Sequence, residues 1–125
     1  MANRVFLAKD GLIHNVHVGD QTGYSIAIMV DQVLELAGQL RTKHQPVLWL
    51  VDFTKLGHQD TDARRAASIG LRKIGYDRLA AFGGDPYLRY IVNLVARASG
   101  KFDRTRYFAT QAEALAFLKA PISTS

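Results

Sequence analysis

The chain has 125 residues, 48% apolar and 22% charged, with a formal net charge of +5 and a pI near 9.7, which is the profile of one soluble globular domain with a core large enough to need no staples. It contains no cysteine, so disulfides, thiolate nucleophiles and cysteine-ligated metals are excluded. No fully apolar run, such as Ile26 to Val30, exceeds five residues, too few for a membrane span, and the start MANRVFLAKD is too short in apolar residues for a secretory signal, so a cytoplasmic location is expected.

In chain order, Arg4 to Lys9 and Leu12 to Val18 are short β-rich runs joined by Asp10-Gly11. That pair favours a two-residue type I′ turn, where both central residues need positive φ, and predicts an N-terminal hairpin. The stretch GDQTGYSIAIMVDQVLELAGQL follows, with Ile26, Met29, Val33, Leu36, Ala37 and Leu40 on one side of a helix that Thr22 or Ser25 can cap. After Pro46, Val47 to Phe53 is a nearly continuous apolar run that fits a strand buried on both faces, and Thr54 to Gln59 reads as a polar loop.

A second helix is predicted from about Thr61 to Gly75, with Ala66, Ile69, Gly70 and Ile74 inward. Leu79 to Phe82 is the next strand, closed by Gly83-Gly84, and Asp85-Pro86 signals a third helix through an N-cap followed by proline. Leu88, Ile91, Val92 and Val95 form its buried stripe, with Gly100 as its C-terminal stop. Thr105 to Ala109 is the last strand. Thr110-Gln111-Ala112-Glu113 is a capping box that opens a short helix burying Ala114, Leu115 and Leu118. Pro121 ends it, and residues 121–125 read as a frayed tail. The order ββαβαβαβα predicts a single α/β domain over 1–120, with a mostly parallel, five-stranded mixed sheet and an N-terminal hairpin.

No catalytic signature stands out. His14 and His17 are three apart on a predicted strand, on opposite faces, and cannot share a metal ion. His44 and His58 fall in loops. Gly83-Gly84 sits at a strand-to-helix turn, but Asp85 occupies the anion position and Pro86 removes a donor, so a tight turn explains the pair better than a phosphate cradle. Asp52, Asp60 and Asp62 fall near the C-terminal end of the central strand, where ligands of open α/β sheets bind, yet two of them are equally explained as first-turn helix acids. Trp49, Phe53, Tyr76, Phe82, Tyr87, Tyr90 and Phe102 form either core or the lining of an apolar pocket. The basic residues are scattered, with Arg64-Arg65, Arg72-Lys73 and Arg104/Arg106 as the only concentrations, which argues against nucleic acid.

From VLWLVDFTKLG through RRAASIGLRKIGYDRLAAFGGDPYLRYIVNLVARASGKFDRTRYFATQAEALAFLK, the chain resembles the STAS-like, anti-sigma-factor-antagonist-like superfamily, and within it the branch grouped with CRAL-TRIO lipid-binding folds. Leu50-Val51-Asp52, the strand leading through Gly83-Gly84 into Asp85-Pro86-Tyr87-Leu88, and Arg106-Tyr107-Phe108 before the last helix carry the likeness. The resemblance implies a βα superhelix with strands in roughly sequential order. It also implies members that are mostly non-catalytic, among them phospho-regulated partners of kinase-like anti-sigma factors. In those antagonists the switch hydroxyl lies at the start of the second helix, in an Asp-Ser-Ser-Gly-like motif. The matching stretch here is Asp60-Thr61-Asp62-Ala63, in which Asp60 and a hydroxyl persist while Asp62 and Ala63 depart from the motif.

QDTD therefore has a plain reading as a helix cap and a functional one as a phospho-switch, with Asp60 and Asp62 repelling a phosphate that the helix dipole would attract. The leading expectation is a non-enzymatic regulatory module, with Gly57, His58, Asp60, Thr61, Asp62, Arg64 and Arg65 as its switch or protein-partner surface. The alternative is a carrier or sensor of a small apolar molecule or lipid. No cofactor and no metal are expected. A homodimer through the hairpin edge, made adhesive by Leu12-Ile13 and Val16 to Val18, is a further expectation.

Overall fold

Strands β1 (Arg4–Leu7) and β2 (Ile13–Gln21) form the expected antiparallel hairpin, with Leu7 opposite Ile13 and Arg4 opposite Val16. Its turn is one residue longer than Asp10-Gly11 suggested. The Ala8 N–H donates to Leu12 O at 3.1 Å and the Gly11 N–H to Ala8 O at 3.0 Å, so Lys9 to Gly11 form the loop. Only Gly11 takes positive φ, at 83°. A type I′ turn would force Asp10 there as well, at a cost of about 1 kcal/mol. The Asp10 carboxylate instead accepts the Leu12 N–H at 2.9 Å.

Helix α1 (Gly23–Thr42) opens on a reciprocal cap between Thr22 and Ser25 and buries Ile26, Met29, Val30, Val33, Ala37 and Leu40. At its end His44 sits at φ 57° while the Gln45 N–H reaches Leu40 O at 2.9 Å, a Schellman-type stop made without glycine.

Strand β3 (Leu48–Gln59) begins as expected but continues through the segment that reads as a loop. Thr54 to His58 is polar, glycine-containing and mostly exposed, so its sequence lacks the alternation of a half-buried strand. Its partner is the far end of β2: Val18, Gly19 and Gln21 pair in parallel with Lys55, Leu56 and Gln59, across two register shifts. The two strands leave the sheet as a bulged ribbon. Gly57 is required within it, because a Cβ there would run into the Asp20 carboxylate, which accepts the His58 N–H at 2.7 Å.

Helix α2 (Thr61–Lys73), strand β4 (Arg78–Phe82), helix α3 (Leu88–Ala98), strand β5 (Thr105–Phe108) and helix α4 (Gln111–Lys119) complete the chain, with one 3-10 turn at Phe102–Arg104. The Asp85 carboxylate accepts the Tyr87 N–H at 2.9 Å, as a cap should, but regular helix starts only at Leu88. Ile69, expected inward on α2, is 45% exposed, and Leu71 takes the buried position. The computed structural model describes residues 2–121; the tail expected beyond Pro121 lies outside the described residues.

The sheet order is β1-β2-β3-β4-β5, antiparallel at the hairpin and parallel elsewhere. Each right-handed crossover steps the same way along the sheet, so α1, α2 and α3 fall on one face. Side-chain alternation records this. Trp49, Val51, Leu79 and Ala81 join α1 to α3 in the larger core, while Leu50, Ala80 and Phe82 meet Ala114 and Leu118 of α4 on the other face. Arg78 binds α4 to the sheet by donating to the carbonyls of Phe117, Ala120 and Pro121, the orphan acceptors at its C-terminal end. The free hairpin edge is β1, only four residues long. Leu12, Ile13 and Val16 are not part of it: Ile13 and Val16 pair on both sides within the sheet, and Leu12 is buried in the α4-side core.

Candidate functional site

Two features stand out on the three-helix side: the exposed start of α2, and an apolar cavity beneath it.

At the start of α2, the Asp60 carboxylate accepts the Ala63 N–H at 2.7 Å and so caps the helix. Thr61 follows as the first helical residue and is exposed. Asp62 is exposed too and meets Arg65 at 3.3 Å in a surface pair that contributes little. Gly57 and His58 belong to the end of β3 rather than to a loop, and both are exposed. Arg64 differs from its neighbours: it turns toward the gap between α2 and α3, where a terminal guanidinium nitrogen donates to the Tyr87 hydroxyl at 3.3 Å. The structure thus brings most of the expected surface residues together and directs one of them inward.

Asp52 does not join Asp60 and Asp62. The rest of β3 intervenes, and its carboxylate accepts both the N–H and the hydroxyl of Thr54, at 2.8 and 2.6 Å. Among the described residues no three His, Asp or Glu side chains lie close enough to share a metal ion. His14 stacks on Phe6 and meets Asp10 at 3.0 Å, whereas His17 meets the Phe53 ring edge-on on the cavity side.

The cavity, about 90 Å³, lies between the sheet and all three helices, with α1 contributing Ile26, Met29 and Val30, the sheet Trp49, Val51 and Phe53, and α3 Ile91, Val92 and Val95. Its polar members are Asn15, His17, Gln59, Arg64 and Thr105. Asn15 is buried at an inward position of β2; its amide N–H donates to Met29 Sδ at 3.0 Å, and its oxygen accepts from the Trp49 indole at 3.4 Å. Thr105 shares a 2.6 Å hydrogen bond with the Tyr76 hydroxyl and donates to Lys101 O. Burial holds the His17 imidazole down at a pKa of about 4 against a smaller opposing pull from Asp52, so it is neutral at physiological pH. The Arg64 Nε is fully buried and has no hydrogen-bond partner among the described residues.

Of the aromatics weighed as pocket lining, Trp49 and Phe53 serve that role. Tyr76 packs edge-on against Trp49 behind the wall, and Phe82 belongs to the α4 side. Tyr87, Tyr90 and Phe102 are surface residues, 51%, 72% and 44% exposed. Sequence reasoning missed Asn15. The available signal was a polar side chain in register with Ile13 on the inward face of an interior strand.

No family model matches the chain, and no curated protein matches it significantly. Solved structures do. An uncharacterized protein of the DUF3478 family from Shewanella loihica PV-4, with a SpoIIAA-like fold, aligns at a TM-score of 0.64 and 19% identity, over 94% of this chain and 92% of its own. The anti-sigma factor antagonist SpoIIAA in its unphosphorylated form aligns at 0.59 and 12% identity, over 96% of this chain and 100% of its own. The chain therefore has a SpoIIAA-like, STAS-like fold, as the sequence resemblance implies. No helix among the described residues is long and apolar enough to cross a membrane.

Proposed function

We propose that the chain is a non-enzymatic regulatory module of STAS type that engages a protein partner through the surface from Gly57 to Arg65. The observation that carries this reading is the start of α2, where Asp60 alone performs the capping and Thr61, Asp62 and Arg65 stand exposed without a role in the core. SpoIIAA is an anti-sigma factor antagonist, and a form of it without phosphate has been solved; the likeness in fold supports taking Thr61, the exposed hydroxyl at the start of α2, as the candidate for phosphorylation. A phosphate on Thr61 would meet the unpaired N–H groups of the first helical turn. Asp60 and Asp62 would oppose it, with Arg65 offsetting part of that repulsion.

The test is to isolate the chain from its native host with whatever it binds, map phosphate by mass, and repeat with Thr61→Asp and Thr61→Ala. The reading expects a co-purifying protein whose retention changes at least several-fold between the two variants. Equal retention by both would remove the switch.

A second reading, binding of a small apolar molecule, is favoured by the cavity beneath α2, which is lined mainly by aliphatic and aromatic side chains.

A further inference from the structure

We propose that this cavity takes a small monocarboxylate with a compact apolar body, its carboxylate paired with the Arg64 guanidinium and its body held among Met29, Val30, Val51 and Val92. The inference rests on the small-molecule reading and needs no protein partner, although Arg64 lies within the segment proposed as the partner surface.

Size sets the body. An apolar protein cavity of about 150 Å³ accommodates benzene and stays dry when empty. A cavity of about 90 Å³ suits a smaller group, on the order of four heavy atoms. A long acyl chain does not fit within it.

Charge sets the head group. Among the described residues, Arg64 is the only charged one lining the cavity, and no carboxylate lines it. Asn15 and Thr105 are already committed to Met29, Trp49, Tyr76 and Lys101. Arg64 is not: its Nε is buried without a partner, and its terminal nitrogen makes only a long 3.3 Å bond to Tyr87. A buried donor left unpaired is unfavourable, and more so on a charged group. Nε and a terminal nitrogen of one guanidinium form the planar fork that a carboxylate matches with two parallel hydrogen bonds. Neutral His17 adds no second charge, so the site balances one negative charge rather than the two of a phosphate. A cationic ligand would face the guanidinium directly.

The whole chain tests this by NMR, with the Arg64 Nε–H and the Val51 and Val92 methyls as reporters. The probes are 3-methylbutanoate, the matched alcohol 3-methylbutan-1-ol, and inorganic phosphate. The expected result is that 3-methylbutanoate moves all three reporters and binds at least tenfold more tightly than the alcohol. Arg64→Gln should abolish that preference, and Arg64→Lys should retain only part of it. Equal binding of acid and alcohol by the unaltered chain would overturn the role of Arg64 while leaving the small-molecule reading in place. Binding of neither would overturn both. Phosphate moving the Arg64 signal as strongly as the acid, with the methyls unmoved, would show a surface anion contact and overturn the proposal.

Discussion

His17 makes the stability of the fold depend on acidity in a window where an exposed histidine would not. Its pKa is near 6.5 in the unfolded chain and about 4 in the folded one, because burial beside Phe53 disfavours the charged ring. Between those values the unfolded state holds a proton that the native state lacks, so stability falls as the pH drops from about 6.5 toward 4. Going from pH 7 to pH 4.5 should cost about 2 kcal/mol through this residue alone, out of a limit of about 3 kcal/mol below both values. Other groups titrate in the same range, so the comparison is with His17→Leu, which keeps the cavity wall apolar. Urea unfolding of both proteins at pH 7 and 4.5 reads the effect. The unaltered chain should lose about 2 kcal/mol more than the variant over that interval. Equal losses would refute the half-buried, neutral histidine.

Gly84 has φ 71°, and a Cβ there would lie 2.8 Å from Phe53 O and 2.7 Å from Leu88 Cδ1; Gly84→Ala should therefore lower the urea-derived stability by about 2 kcal/mol or more. His44, left-handed at the end of α1, should give the reverse, with His44→Gly raising stability by about 0.5–1 kcal/mol in the same assay. Tyr76→Phe removes the buried bond to Thr105 and should cost about 1–2 kcal/mol. Burial pushes the Tyr76 phenol up to about 12, chiefly by disfavouring the phenolate. The spectrophotometric tyrosine titration of that variant should lose its most alkaline step, and the alkaline loss of stability that begins near pH 10 in the unaltered chain should shrink.

The element order was legible because its punctuation is local. Thr22, Asp60, Asp85 and Thr110 each satisfy a backbone N–H within three residues, and Gly83 and Gly84 both take positive φ at the turn they mark. The outer half of β3 was not legible, since Thr54 to His58 becomes strand only by pairing with the far end of β2, and nothing in its own composition announces that partner. The inward turn of Arg64 depends on something equally distant. Gly70 lets α2 settle against Val30 of α1, where a Cβ would clash, and that contact helps fix which residues of α2 face the cavity. A sequence pattern places Arg64 beside Arg65; only packing shows that one is solvated at the surface and the other has a buried nitrogen.

The most direct test of the account is a photo-crosslinker placed at Thr61 or Asp62, with exposed Glu35 of α1 as control, irradiated in cells of the native host. The account predicts a discrete protein adduct from the α2 positions that is absent from the control and altered by Thr61→Asp when Asp62 carries the probe. No adduct at either α2 position, or the same adduct from Glu35, would contradict it.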